Sequence, residues 1–264
     1  MNPFLKEKKV LITGASGGIG RYIAIHVARN GGSPILVARS ADKLETTANI
    51  LKEKFDVSCH WYQADFSRDT ESKGISEQIL AEHESIDALI NNAGMGIFDY
   101  FAESEWEDIN RMIQVNITSL LRMTHQVLPR MIEQESGHIV NIASQSGKMA
   151  TPKSAVYAAT KHAVLGFTNA LRLEAEPQGI LVTGVNLGPV RTGFFDQADP
   201  SGAYRNAVDS WMLDANRVAN RIVKQLFRPS REINLPVWME AGSKLHYQFP
   251  GLTEKLLHKQ FNKK

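Results

Sequence analysis

The chain has 264 residues, 43% of them hydrophobic, with 30 Lys and Arg against 28 Asp and Glu, for a net charge of +2 at neutral pH. That length suits one large α/β domain with a full core, and that charge gives no strong field for nucleic acid or a membrane. A lone cysteine, Cys59, excludes an internal disulfide and suits a reducing compartment, so a cytoplasmic location is expected. The eight histidines form no H-E-x-x-H motif or Cys/His cluster, so no metal site is expected. The N-terminus lacks the apolar centre of a signal peptide, and no run approaches the roughly 18 apolar residues of a membrane span.

In chain order, Lys9-Val10-Leu11-Ile12 reads as a strand (8–13) and runs into Thr13-Gly14-Ala15-Ser16-Gly17-Gly18-Ile19-Gly20. A helical pattern follows over 18–30 through Ile23, Ala24, Val27 and Ala28. Strand, glycine turn and helix together suit a diphosphate, because glycines admit close backbone approach and a helix N-terminus favours negative charge. The spacing is G-x-x-x-G-x-G, and no Gly-Lys-Ser/Thr follows, so the turn is not a P-loop. A second strand (34–38) ends at Ala38-Arg39, and a helix at 41–54 leads to a third strand (57–62) in which Cys59 alternates with Val57 and Trp61 as a core residue. Asp65 follows it, then a helix (68–84), a strand (86–90) and the turn Asn91-Asn92-Ala93-Gly94.

A long helix is predicted over 105–134, with Asn116 on the stripe of Ile109, Ile113 and Leu120; a buried amide there needs hydrogen-bond partners. Gly137 to Ile142 reads as a buried strand ending at Ser144, and Ser154 as the cap of a helix over 155–176. Strands at 180–185 and 232–236 and a helix at 214–228 complete the alternation, which argues a doubly wound parallel sheet with helices on both faces. The stretch 193–212, with Phe194, Phe195, Tyr204, Trp211 and Met212, has no place in the sheet and reads as a mobile lid over an apolar pocket. Residues 1–237 are expected to form the working domain, and 238–264 a tail in which Leu252, Leu256, Leu257 and Phe261 recur at helical spacing among Lys255, Lys259 and Lys263.

The chemistry concentrates at Tyr157-Ala158-Ala159-Thr160-Lys161. Residues four apart share a helix face, here continued by Val164 and Leu165, and a phenol beside an ammonium on an apolar stripe needs partners. A neighbouring cation stabilises a phenolate, so the pair reads as a tuned proton donor or acceptor, and Ser144 can face the tyrosine from the preceding strand end.

These motifs, in this order, resemble the short-chain dehydrogenase/reductase family of the single-domain type over about residues 7–237. The resemblance implies a Rossmann-like fold and a catalytic tetrad of Asn116, Ser144, Tyr157 and Lys161. It implies a dinucleotide bound by Gly14, Ser16, Gly18, Ile19, Gly20, Asp65, Asn92, Gly94, Tyr157, Lys161, Val190 and Thr192. The acidic residue that selects NAD in the family is replaced by Ala38, and the Arg39 that follows suits the 2′-phosphate of NADP. Leu187-Gly188-Pro189 departs from the family's Pro-Gly, leaving the local backbone path open. The implied activity is reduction of a carbonyl to an alcohol, or the reverse. Tyr157 would be the proton donor, Ser144 a stabiliser of the oxyanion, Lys161 the group that lowers the phenol pKa and holds the cofactor ribose, and Asn116 the holder of a relay water. A non-catalytic dinucleotide-binding regulator and an isomerase or dehydratase relative are the competing readings. Met95, Gly96, Phe98, Lys148 and Met149 suggest a mostly apolar substrate, such as a 3-oxoacyl chain, a steroid-like ketone or a small aldehyde. The resemblance further implies a homodimer or homotetramer built on the helices near 105–134 and 155–176. The tail's own pattern could cover a partner subunit, rest on an anionic membrane surface or fold back on its own domain, and its few basic residues favour docking on protein.

Overall fold

A computed structural model of the chain describes residues 2–261, with side chains as far as Leu256; the tail positions Leu257, Lys259, Phe261, Lys263 and Lys264 lie outside the described side chains. Strands and helices alternate: β1 (Lys9–Thr13), α1 (Gly18–Arg29), β2 (Ser33–Ala38), α2 (Ala41–Phe55), β3 (His60–Gln63), α3 (Asp69–Glu82) and β4 (Ala88–Asn91). After them come α4 (Trp106–Ile113), α5 (Ser119–Glu133), β5 (Gly137–Ile142), α6 (Ala155–Ala175) and β6 (Ile180–Leu187). The short pieces β7 (Val190–Arg191), α7 (Phe194–Ala198), α8 (Ala203–Val208) and β8 (Leu213–Asp214) precede α9 (Ala215–Gln225), β9 (Glu232–Leu235), α10 (Val237–Gln248) and α11 (Pro250–Phe261).

Seven strands pair in parallel in the order β3-β2-β1-β4-β5-β6-β9. The period-two pattern sends Val10 and Ile12 of β1 into one core, with Ile23 and Val27 of α1 and Val218 and Ile222 of α9. Leu11 between them enters the other core, with Ile79 of α3, Met123 and Val127 of α5, and Leu171 of α6. Strands covered on both faces must be apolar throughout, which is why these segments lack alternating polar residues. Each fully buried Leu or Ile contributes roughly 1.5–3 kcal/mol. Because the chain builds β1 to β3 outward and then returns to lay β4 beside β1, the connections on either side diverge at the carboxyl ends and open a crevice there.

The departures from the sequence reading are local. The helix predicted over 105–134 is one rod interrupted by a π turn over Gln114–Thr118. Ile109, Asn116 and Leu120 are buried, whereas Ile113, the last residue before the turn, is exposed. The third strand starts at His60, leaving Cys59 just ahead of it, half-buried against the first core, with its thiol pushed up to about 11 by burial. Ser154 stands at the N-cap of α6 but does not cap it: its hydroxyl donates to the Thr151 carbonyl at 2.6 Å. With Leu187 in place of proline, β6 runs on through that residue, which pairs with Leu235. Residues 193–212 form α7, α8 and a 3-10 turn, held at their base by the parallel pair β7–β8 and by the Arg191–Asp209 ion pair.

Candidate active site

The crevice at the carboxyl ends of the strands holds a cavity of about 490 Å³. Of the residues singled out from sequence, Gly14, Ser16, Gly18, Ile19, Arg39, Asn92, Gly94, Ser144, Tyr157, Lys161, Val190 and Thr192 all line it. Gly20, Asp65 and Asn116 do not.

The glycine turn is built for close approach. Gly14 has φ +67°, and a Cβ there would stand 2.9 Å from both the Ala93 Cα and the Asn92 Nδ2. Gly20 sits beneath the turn, where a Cβ would lie 2.6 Å from Asn92 Nδ2. Asn92 explains both constraints: its side-chain amide donates to the carbonyls of Thr13 (2.9 Å) and Gly14 (3.2 Å). Thr13 Oγ1 in turn accepts from the Asn92 and Ala93 backbone, each at 3.0 Å. The Asn-Asn-Ala-Gly turn therefore braces the glycine turn from behind. Thr192 faces the same turn, with its Cγ2 3.2 Å from where a Gly18 Cβ would sit, so Leu187 in place of proline leaves Thr192 beside the glycines.

At the far end of the cleft stand two exposed cations, Arg39 and Lys43. Lys43 escaped the sequence reading, although it lies four residues after Arg39. Asp65 is committed to its own loop, accepting from Ser67 N (3.0 Å) and Ser67 Oγ (2.8 Å). Burial raises its pKa, but those hydrogen bonds and the Arg39 and Arg68 charges outweigh it and hold the carboxyl below its ordinary value.

At the other end, α6 and the end of β5 bring Tyr157, Lys161 and Ser144 together. Tyr157 and Lys161 are both buried. Burial pushes the phenol up to about 12, and a hydrogen bond with Ser144 pulls against that rise. Ser144 is fixed by its neighbours: its hydroxyl donates to the Leu187 carbonyl (3.3 Å) and accepts from Ser146 N (3.1 Å). Burial lowers Lys161 to about 8. Its ammonium donates to the Ile142 carbonyl (3.0 Å) and lies 5.8 Å from the Tyr157 ring centroid. In the protein without cofactor, burial is the largest influence on both groups, raising the phenol and lowering the ammonium.

Asn116 works one layer back. Its Oδ1 accepts from Met95 N (2.8 Å), and its Nδ2 donates to the Met95 carbonyl (2.8 Å) and to Thr160 Oγ1 (3.0 Å). Both amide hydrogens are used, so the side chain ties the loop after β4 to α6 between Tyr157 and Lys161.

The cleft is roofed by aromatic rings. Phe98 stands 5.8 Å edge-on from Tyr157 and 5.4 Å from Tyr204; Phe194 lies 5.8 Å from Tyr157. Burial, and then the proximity of Tyr157, raise the Tyr204 phenol. Met149 and Met239 extend the apolar wall. Met95, Gly96 and Lys148 do not line it; Lys148 instead ties the loop after Ser144 to Glu232 and Glu240, each at 2.6 Å. Met239 was invisible from sequence, because only the docking of α10 brings that residue to the cleft.

The residues present fit a dinucleotide. A backbone cradle that any Cβ at Gly14 would fill, two cations at one end and a buried Tyr-Lys pair at the other span one continuous cleft. Among the described residues no group of three or more metal-ligating side chains occurs, and no helix is long and apolar enough to cross a membrane.

Comparison with known proteins agrees. The family model for short chain dehydrogenases matches residues 8–201. An uncharacterized oxidoreductase of Staphylococcus epidermidis is 31% identical over 226 residues, covering 86% of this chain and 94% of that protein. The very-long-chain 3-oxoacyl-CoA reductase of Homo sapiens is 32% identical over 269 residues, covering 94% of this chain and 84% of that protein. The structure of a short-chain dehydrogenase from Sphingobium yanoikuyae in complex with NADPH superposes with a TM-score of 0.81 at 31% identity, covering 94% of this chain and 95% of that one. The family model spans most of the chain, relatives at 31–32% identity cover 86–94% of it, and the chain belongs to the short-chain dehydrogenase family.

Proposed function

We propose that the protein is an NADP(H)-dependent oxidoreductase that reduces an apolar carbonyl compound to its alcohol, or runs the reverse reaction. The observation that carries this reading is that buried Tyr157, Lys161 one helical turn on, and Ser144 line the same cleft as the glycine turn. A nicotinamide cofactor supplies the hydride when bound. The protein's own part is to hold a carbonyl oxygen between two hydroxyls, and Ser144, turning its hydroxyl away from the Leu187 carbonyl, donates a hydrogen bond to it as negative charge grows. Tyr157 then gives up its proton to the developing alkoxide. A phenol pushed up to about 12 stays protonated at neutral pH, which is the state a donor needs, and an alkoxide is more basic still. Lys161, protonated below about 8, sits where its charge favours the phenolate left behind. Asn116 positions this pair through Thr160 and Met95.

Preference for the phosphorylated cofactor rests on Arg39 with Lys43, and it accords with the NADPH bound by the Sphingobium relative. The apolar substrate rests on Phe98, Met149, Phe194, Phe195, Tyr204 and Met239 around Tyr157. The human relative's name suggests a 3-oxoacyl chain as one member of that class. Exposed Leu121, Ile132 and Leu173 on α5 and α6 support assembly into a homodimer or homotetramer. The single, half-buried Cys59 accords with a cytoplasmic location. The test is consumption of NADPH and of NADH by the purified protein with a panel of ketones graded in size. No turnover with any of them, while NADPH still binds, would favour a regulatory role.

A further inference from the structure

The chain's positive charge is concentrated at one end. Residues 237–264 hold five lysines against Glu240 and Glu254, a formal +3, so the first 236 residues, with 25 basic and 26 acidic side chains, carry −1. The same segment carries the most exposed group of large apolar side chains among the described residues: Trp238, Leu245, Tyr247, Phe249, Leu252 and Leu256 are each between 54% and 83% exposed. Trp238 and Leu245 lie seven apart on α10, and Leu252 and Leu256 four apart on α11, so each pair shares a helix face. Folding does not use these residues to attach α11. That helix meets α10 through a polar contact, with buried Thr253 placing its Oγ1 2.7 Å from His246 Nδ1 and donating to the Phe249 carbonyl at 3.0 Å.

The segment is nonetheless tied to the cleft. Trp238 packs edge-on against Trp211 at the end of the lid, 5.6 Å between centroids. Met239 lines the cavity, and Glu240 holds Lys148 in the loop that follows Ser144. The exposed apolar side chains therefore start beside the cleft.

We propose that α10 and α11 form a docking surface for an anionic lipid bilayer. The apolar side chains enter the boundary between headgroups and acyl chains, and the exposed Lys244 and Lys255 meet lipid phosphates. A second copy of this chain would set +3 against +3 at the same contact, whereas an anionic surface complements it. Binding of this kind is independent of the reaction, so its failure and the failure of the reductase reading are separate results.

The test is co-sedimentation of the full-length protein with vesicles of phosphatidylcholine alone or with about a third phosphatidylglycerol. Binding to the anionic vesicles at low ionic strength, weakening with salt, is expected. Leu252→Asp with Leu256→Asp, and separately Lys244→Glu with Lys255→Glu, should each weaken binding at least roughly tenfold. Both variants should keep the melting temperature and the NADPH consumption with a soluble ketone. Equal association with neutral and anionic vesicles, or variants that bind as the unmodified chain does, overturns the proposal. A fall in solution mass of the Leu252→Asp/Leu256→Asp variant, with vesicle binding intact, would overturn it in favour of self-association.

Discussion

Tyr157→Phe removes one oxygen atom from the reaction and almost nothing from the fold. The lost group has Ser144 as its hydrogen-bond partner, and Ser144 keeps the Leu187 carbonyl and Ser146 N–H as partners, so no polar atom is stranded. The ring keeps its edge contacts with Phe98 and Phe194 at 5.8 Å. A net hydrogen bond contributes about 0.5–1.5 kcal/mol, so the melting temperature should shift by only a few degrees in either direction. Catalysis should fall far more. A positioned proton donor contributes about 10²–10⁴-fold, or roughly 3–5 kcal/mol in the barrier. NADPH affinity should stay within a few-fold, because the glycine turn, Arg39 and Lys43 are untouched. The assay is kcat with the best ketone of the panel, alongside NADPH binding by fluorescence and a thermal melt. A residual kcat within tenfold of the unmodified enzyme, with fold and cofactor binding intact, would refute the proton-donor role.

The pKa shifts set two pH dependences. Lys161 is lowered from 10.5 to about 8, so its charge is present below about 8, and reductive kcat/KM should fall as pH rises through that value. The stability sign is opposite: between about 8 and 10.5 the unfolded chain holds a proton on Lys161 that the folded chain has released. Stability of the cofactor-free protein should therefore rise with pH there, and Lys161→Met should flatten that slope in thermal melts. Arg39→Ala with Lys43→Ala should weaken NADPH binding by roughly 10–100-fold, taking about 1.5–3 kcal/mol for the lost charge-assisted contacts, and leave NADH nearly unchanged; equal affinities for the two cofactors in the unmodified protein would defeat the assignment. Gly14→Ala would force a left-handed φ on alanine and drive its Cβ into Ala93, so it should cost about 1–3 kcal/mol in denaturant titration and abolish cofactor binding. Leu121→Glu with Leu173→Glu should convert an oligomer to monomers in light scattering, and an unmodified protein that is already monomeric would rule out assembly through α5 and α6.

Much of this protein was legible in its residue order, because the signals are local. Short, continuously apolar runs alternating with helical ones suit a parallel sheet covered on both faces, and the observed seven-stranded sheet is parallel throughout. Gly14, Ser144, Tyr157 and Lys161 were each marked by chemistry that a strand end or a helix face makes necessary, and they meet in one cleft. What escaped the sequence depends on contacts between distant segments. The Asn116 side-chain amide pairs with both the N–H and the carbonyl of Met95, 21 residues away, a contact no local pattern reveals. Ile113 was placed on the buried stripe by helical spacing, but the packing of α4 buries Met112 and leaves Ile113 exposed. Spacing likewise reveals that Tyr157 and Lys161 are neighbours, but burial decides how much each charged state costs. Met239 and the bare apolar faces of α10 and α11 belong to tertiary structure altogether. Nothing in a run of leucines says which neighbour will cover it, and here the polar contact of Thr253 with His246 settles α11 against α10 and leaves Leu252 and Leu256 outside.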